Sequence, residues 1–297
     1  MKKILCIVLM VFAVVTEAGA QWAMPRLSVA HVRSRPAHSA ELSTQALMGM
    51  PLRVIDDGDQ WIRVEMPDGY AGYIRSNSLV RLSDSDMDTW RHADRVVVVS
   101  VDESKVYADT VSGIVVSDIV DGDILRRDSV DGRWTAVSLP DGRSGWVASQ
   151  SVIPIEQWAT QSPDADGVLR FAAHHLGSPY TWGGNSSKGM DCSGLVKMAF
   201  LHYGLILRRD AYQQAEWGAS VSPDSLQPGD LVFYGDRKSG HVDHVAIYAG
   251  NDRVIESAGL VRYGSPACGE RFLLARKVIG VPESAGIVSA RNHRWYF

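Results

Sequence analysis

The chain has 297 residues, of which 45% are hydrophobic and 22% charged, the balance of a soluble globular protein with two or three domains. Its formal charge is −4 and no basic tail or patch stands out, which argues against a nucleic-acid partner. At the N-terminus, Lys2 and Lys3 precede the apolar run Ile4 to Val15, and Ala18-Gly19-Ala20 supplies the small residues a signal peptidase accepts. Residues 1–20 therefore read as a signal peptide cleaved before Gln21, and the protein is expected to be exported. The run falls short of the ~20 residues a membrane span needs, so no span is expected after cleavage. Cys6 lies inside it, too early for a lipid-modified cysteine. Cleavage removes two lysines and one glutamate and moves the formal charge from −4 to −5.

From about residue 29 to 155 the chain repeats itself. Trp61, Pro67-Asp68-Gly69 and Gly72-Tyr73-Ile74 recur 73 residues later as Trp134, Pro140-Asp141-Gly142 and Gly145-Trp146-Val147. Two copies of one module account for this most simply. Short β-rich runs such as Trp61-Ile62-Arg63-Val64-Glu65 alternate with Asp-Gly turns, the pattern of a small antiparallel barrel. The copies are expected over 21–86 and 87–158. Between them, Ser83-Asp84-Ser85-Asp86-Met87-Asp88 reads as an acidic linker or solvated loop.

A second join falls near Ala159 to Asp166, where Ser162-Pro163-Asp164 breaks regular structure. Residues 159–297 form the expected third domain. Val168, Leu169, Phe171, Ala172 and Leu176 predict a helix ending at Gly177. The run Asp191-Cys192-Ser193-Gly194-Leu195-Val196-Lys197-Met198-Ala199-Phe200 lacks period-2 alternation and predicts a buried helix opening near Cys192. A thiol there meets unpaired N–H groups and the positive end of the helix dipole, which favour the nucleophilic thiolate. From the tetrapeptide alone, a small buried cysteine is an equal reading. Short strands follow at Leu231 to Tyr234, His244 to Ala249 and Arg253 to Ser257. Helices first and antiparallel strands after make an α+β domain, with the thiol's helix packed on the sheet.

A thiolate needs a base, and the base needs an orienting group. His244 begins an alternating strand, and Gly250-Asn251-Asp252 makes a hairpin turn toward Arg253-Val254-Ile255-Glu256. A turn centred on Gly250 sets His244 opposite Glu256 on one face, where the carboxylate can fix the imidazole. A surface role for Glu256 is the alternative. His241-Val242-Asp243-His244 also has the look of metal-ligand spacing with Cys192 as a third ligand, but no further ligand pair is visible and no metal or cofactor is expected. Cys192 and Cys268 are the cysteines left after cleavage. A disulfide between them would block the nucleophile, so Cys268 reads as an incidental loop thiol.

Gly177-Ser178-Pro179-Tyr180-Thr181-Trp182-Gly183-Gly184, the Asp191-Cys192-Ser193-Gly194 run, Leu226-Gln227-Pro228-Gly229-Asp230 and His244-Val245-Ala246-Ile247-Tyr248-Ala249-Gly250 appear in the order and spacing that resemble NlpC/P60 cysteine peptidases. The likeness covers about the last 130 residues; the repeated modules resemble bacterial SH3b domains. The resemblance implies an α+β papain-like catalytic domain, its Cys-bearing helix packed on an antiparallel sheet, preceded by two small all-β SH3-like barrels. It implies Cys192 and His244 as catalytic residues; the third is commonly His in the family, and Glu256 stands in its place here.

The resemblance also implies hydrolysis of the bond between γ-D-Glu and a diamino acid in peptidoglycan stem peptides by a bacterial enzyme. Tyr180 then lines the active site and offers a hydroxyl to the oxyanion beside the Cys192 N–H, and Asp191 and Ser193 contact substrate, although Asp191 equally suits a helix cap. A subgroup with SH3b domains acts on stems with a free L-Ala amine. Arg209 and Asp210 match its Arg-Asp pair, Tyr70 and the weaker match Glu41 its cleft-closing Tyr and Glu, and Ala211 replaces a Ser often found after the pair. Ordinary barrel surface is the other reading of Tyr70 and Glu41. The expected product is L-Ala-γ-D-Glu. Other functions left open are an endopeptidase on intact peptidoglycan gripped by the barrels, a non-catalytic wall-binding protein, and an acyltransferase whose thioester an amine intercepts.

Overall fold

The computed structural model describes residues 21–266 and 271–297. The leader 1–20 and Cys268 lie outside the described residues. Two seven-stranded antiparallel sheets come first. The strands Trp22–Pro25, Val29–Arg33, Leu42–Leu47, Leu52–Asp57, Trp61–Glu65, Ala71–Arg75 and Leu79–Leu82 lie side by side in the order third, second, sixth, fifth, fourth, first, seventh. The strands Arg95–Val98, Ser104–Tyr107, Val115–Ile119, Ile124–Asp131, Trp134–Ser138, Ser144–Ala148 and Val152–Pro154 repeat that order. The 73-residue offset carries through to the 3₁₀ turns Ser76–Ser78 and Ser149–Ser151. In each copy the Pro-Asp-Gly turn needs its glycine at positive φ, 79° at Gly69 and 85° at Gly142.

The stretch between the sheets is not a loop. Asp84–His92 is an α-helix: the Ser83 hydroxyl accepts from Asp86 N–H at 3.2 Å, and the Asp86 carboxylate accepts from Ser83 N–H at 2.9 Å. That reciprocal cap satisfies two end donors despite the polar composition. Met87 is fully buried, clustered with Trp22, Met24 and Trp295. The boundary expected at residue 86 falls inside this helix.

The C-terminal part places helices Ala165–His174 and Cys192–Leu201 before a six-stranded antiparallel sheet, ordered Ala219–Val221, Phe272–Lys277, Leu231–Asp236, His241–Gly250, Arg253–Ala258, Leu260–Gly264. Leu195, Val196 and Ala199 share a core with Val245, Ile247 and Ile255, so the Cys192 helix packs on the sheet. Every residue of that helix is buried, Lys197 included. Enclosure on all sides explains its lack of a polar face. The same core takes in Val32, Ile62 and Val64 of the first module and Val97, Val120 and Ile124 of the second.

Candidate active site

Cys192 is the first residue of its helix and Asp191 is the N-cap. The Asp191 Oδ1 accepts from Gly194 N–H at 2.7 Å and Oδ2 accepts from Gly183 N–H at 2.9 Å, so one carboxylate ties the helix start to the Gly-rich loop. Gly194 is required by that approach: a Cβ there would stand 2.0 Å from the Gly184 carbonyl oxygen. The thiol is 8% exposed and opens into a cleft.

His244 lies beside it. Its Nε2 donates to Glu256 Oε2 at 2.8 Å, which leaves Nδ1 for Cys192. Burial draws the His244 pKa down, but hydrogen bonds and charge attraction from Cys192 and Glu256 outweigh it and bring the value up to about 9. The hydrogen bond from His244 holds Glu256 below the usual carboxylate range against burial, and Arg262, 2.9 Å from Oε1, adds to the effect.

The hairpin that joins them turns at a different place from the sequence expectation. Asn251 and Asp252, at φ 52° and 55°, form the two-residue turn, as a type I′ geometry demands, and Gly250 pairs with Arg253. A bulge at Ala249 then sets Ile247 against Ile255. Continuing that register puts Glu256 across from Ala246 rather than His244. The shift is two residues, so His244 and Glu256 keep a common face and meet diagonally past a small side chain.

The cleft encloses about 380 Å³. Cys192, Ser193, Tyr180, Trp182 and the segment Asp210 to Tyr212 line it from the C-terminal domain, and Ser34, Glu41, Ser43 and Tyr70 line it from the first module. Tyr180 is pushed up to about 12, by burial first and then by the charges of Cys192 and Asp191, so its hydroxyl stays a donor. Burial also raises Asp210 and Tyr70; Asp210's charge adds to the rise at Tyr70. Glu41 Oε1 accepts from the Trp182 indole N–H at 2.7 Å, clasping the Gly-rich loop to the first module.

Arg209 does not reach the cleft surface. It is 1% exposed, and its guanidinium donates to Asp191 Oδ2 at 2.5 Å, Ser193 Oγ at 2.9 Å and Thr44 Oγ1 at 2.9 Å. Arg209 therefore braces Asp191 and Ser193 from beneath, and both Asp191 oxygens are committed within the protein. His241 lines the cleft stacked near Tyr212, their centroids 6.5 Å apart, and Asp243 pairs with Arg271 at 2.5 Å. Among the described residues no three His, Cys, Asp or Glu side chains gather to hold a metal ion.

Sequence reasoning gave no role to Trp182 or Tyr212, which are 62% and 47% exposed. Large aromatics left in solvent beside the Cys192 thiol are the available signal, but exposure is invisible in the sequence. It also missed Lys197, whose ammonium pairs with Asp68 of the first module although both are buried. A lysine inside an otherwise apolar helix run was the clue.

Residues 177–267 match the NlpC/P60 family, and residues 32–79 match the bacterial dipeptidyl-peptidase Sh3 domain. The chain carries an NlpC/P60 cysteine peptidase domain. Dipeptidyl-peptidase 6 of Lysinibacillus sphaericus is 29% identical over 238 residues, spanning 77% of this chain and 85% of that protein. A gamma-D-glutamyl-L-lysine dipeptidyl-peptidase of Bacillus cereus (strain ATCC 10987 / NRS 248) is 29% identical over 237 residues, 73% of this chain and 67% of the relative. The crystal structure of an NlpC/P60 family protein from Bacillus cereus ATCC 10987 superposes with a TM-score of 0.77 at 23% identity, covering 86% of this chain and 99% of the other, and shares the fold. The NlpC/P60 domain thus sits on an α+β scaffold behind all-β SH3-like modules. No helix among the described residues is long and apolar enough to cross a membrane.

Proposed function

We propose that this protein is a bacterial cysteine dipeptidyl-peptidase that cleaves the bond between γ-D-Glu and a diamino acid in peptidoglycan stem peptides whose L-Ala amine is free, releasing L-Ala-γ-D-Glu. The observation that carries this reading is the composition of the cleft. The nucleophile's groove is walled by Glu41 and Tyr70 of the first module and by Asp210, so a short substrate meets carboxylates suited to an ammonium group. The names of the two relatives agree with this. A module lying across the groove also disfavours a long glycan-linked stem.

In this reading the Cys192 thiolate, paired with the His244 imidazolium, attacks the side-chain carbonyl carbon of D-Glu. The developing oxyanion is held by the Cys192 N–H at the helix end and the Tyr180 hydroxyl. His244 gives its proton to the leaving amine, and a thioester remains on Sγ. Water, deprotonated by His244, then releases the dipeptide and restores the thiol. Glu256 keeps the ring oriented and stabilises its charged form. Residues 1–20 would direct the protein out of the cytoplasm, and the two β modules on either side of the helix Asp84–His92, with the C-terminal α+β domain, are its working modules.

The test is incubation with L-Ala-γ-D-Glu-diaminopimelate, its N-acetylated form and intact sacculi. Rapid release of L-Ala-γ-D-Glu, loss of activity in Cys192→Ala, and much slower cleavage of the acetylated peptide are expected. Equal rates on free and acetylated peptide would reject the free-amine assignment.

A further inference from the structure

A second cavity, of about 430 Å³, lies apart from the cleft and is lined by Trp22, Arg53, Glu65, Arg91, Arg294 and Trp295. Three guanidinium groups against one carboxylate leave it a formal charge of +2, on a chain whose net charge is negative. These arginines are poorly satisfied. Arg91 and Arg294 have no side-chain hydrogen bond or ion pair among the described residues, and the Arg91 Nε is buried without a partner. Arg53 reaches only Gln21 Oε1, at 3.4 Å, and makes no ion pair with Glu65 although the two face each other across neighbouring strands. Arg53 and Arg91 both lie over the Trp22 ring, 4.8 and 5.0 Å from its centroid. Those contacts hold both guanidinium groups at the cavity wall through the indole face rather than through an anion.

The repeat supplies an internal control. Arg126 is the counterpart of Arg53, and its strand partner Ser138 is the counterpart of Glu65. There Asp128 neutralises the guanidinium at 3.1 Å, and Ser138 Oγ accepts from it at 3.2 Å while donating to Asp128 at 2.6 Å. In the first copy Ile55 occupies the place of Asp128, and two further arginines arrive from the inter-module helix and the C-terminal tail. The second copy thus carries its anion in the chain, and the first leaves that place to something else.

We propose that this cavity is a binding site for a compact dianion carrying phosphate or carboxylate groups. Guanidinium forks take both groups in paired hydrogen bonds, and two negative charges match the cavity's +2. The site gives the first module a ligand of its own, separate from the peptide held in the cleft.

Titration calorimetry on the full chain with pyrophosphate and with succinate tests this. One-site binding is expected, weakened about tenfold or more in Arg53→Gln and in Arg294→Gln, and weakened by salt. Arg126→Gln should bind as the parent does, and Glu65→Gln more tightly. Binding of pyrophosphate alone assigns a phosphate-bearing ligand; binding of succinate as well extends it to carboxylates. Retention on sacculi that disappears when phosphodiester-linked polymers are stripped would place the phosphate source in the wall. No saturable binding of either probe, or equal binding by parent and Arg294→Gln, overturns the proposal. Tripeptide hydrolysis should be unchanged in all four variants, so the outcome is independent of the peptidase reading.

Discussion

His244 keeps its proton to about pH 9 because Cys192 and Glu256 together outweigh the burial that would remove it. Activity that needs the imidazolium should therefore hold through neutral pH and fall as pH rises through about 9, seen as the alkaline limb of kcat/KM. Glu256→Gln removes one of the two supports; the limb should move to lower pH and kcat drop roughly 10- to 100-fold, by analogy with general acid–base contributions of ~10²–10⁴. An unmoved limb would separate Glu256 from the imidazole's proton. The sign for stability follows the same shift. A folded value above the ordinary 6.5 means the pair's contribution is complete below 6.5 and is lost as pH climbs through about 9. The Cys192, His244 and Glu256 constellation was legible because motif order and strand alternation both survive small errors. The move of the turn to Asn251-Asp252 and the bulge at Ala249 together shift the pairing by two residues, an even number, which preserves the face. Arg209 was less legible: a charged residue beside a substrate motif looks the same in sequence whether it points into the cleft or, as here, under Asp191 and Ser193.

At the scale of elements, the helix Cys192–Leu201 and the Asp-Gly turns belong to one arrangement. Asp68 Oδ1 accepts from Tyr70 N–H at 2.9 Å, closing its own turn, while Oδ2 meets Lys197 on the Cys192 helix. Asp141 repeats the device: Oδ1 accepts from Arg143 N–H at 3.3 Å and Oδ2 pairs with Arg26 of the first module at 3.0 Å. Each turn thus ties its own backbone with one oxygen and reaches a cation of a neighbouring module with the other, which at Asp141 also accepts from the local Arg143 Nε at 2.8 Å. The turn was readable from Pro-Asp-Gly and its 73-residue recurrence; the partner of the second oxygen was not, since it depends on which surfaces meet. Helix Asp84–His92 failed to show for a different reason. Its acidic composition hid a capping pair three residues apart and the apolar Met87 and Trp90. For the buried pair, Lys197→Met leaves the Asp68 carboxylate enclosed without a cation and should destabilise by ~3–5 kcal/mol in urea unfolding. Combining it with Asp68→Asn should recover most of that loss. A double variant as unstable as the single one would show that packing around Lys197, not its charge, matters. Because Asp68 also holds the turn bearing Tyr70, the single variant should raise KM more than it lowers kcat.

For the molecule as a whole, the number and order of modules could be read from the repeat and the motifs, but their union into one body could not. The helix Cys192–Leu201 is buried all round because it faces a sheet on one side and both modules on others; Gly122 of the second module approaches Leu201 and Met198. Polar contacts lock the same seams. Asn185 is fully buried, its Oδ1 accepting from Gln45 N–H at 2.8 Å and from Thr44 Oγ1 at 3.0 Å, and His202 pairs with Asp121 at 2.7 Å. A core shared by all three modules predicts one cooperative unfolding transition, with calorimetric and van't Hoff enthalpies in agreement. It also predicts that residues 159–297 alone lose solubility and activity together, since the cut exposes the apolar helix, strands Lys197 and Asn185 without partners, and opens the cleft at Glu41 and Tyr70. Differential scanning calorimetry of the full chain and of that fragment decides the matter. Two resolved peaks, with tripeptide hydrolysis persisting above the first, would mean the modules unfold separately and the first does not complete the active cleft.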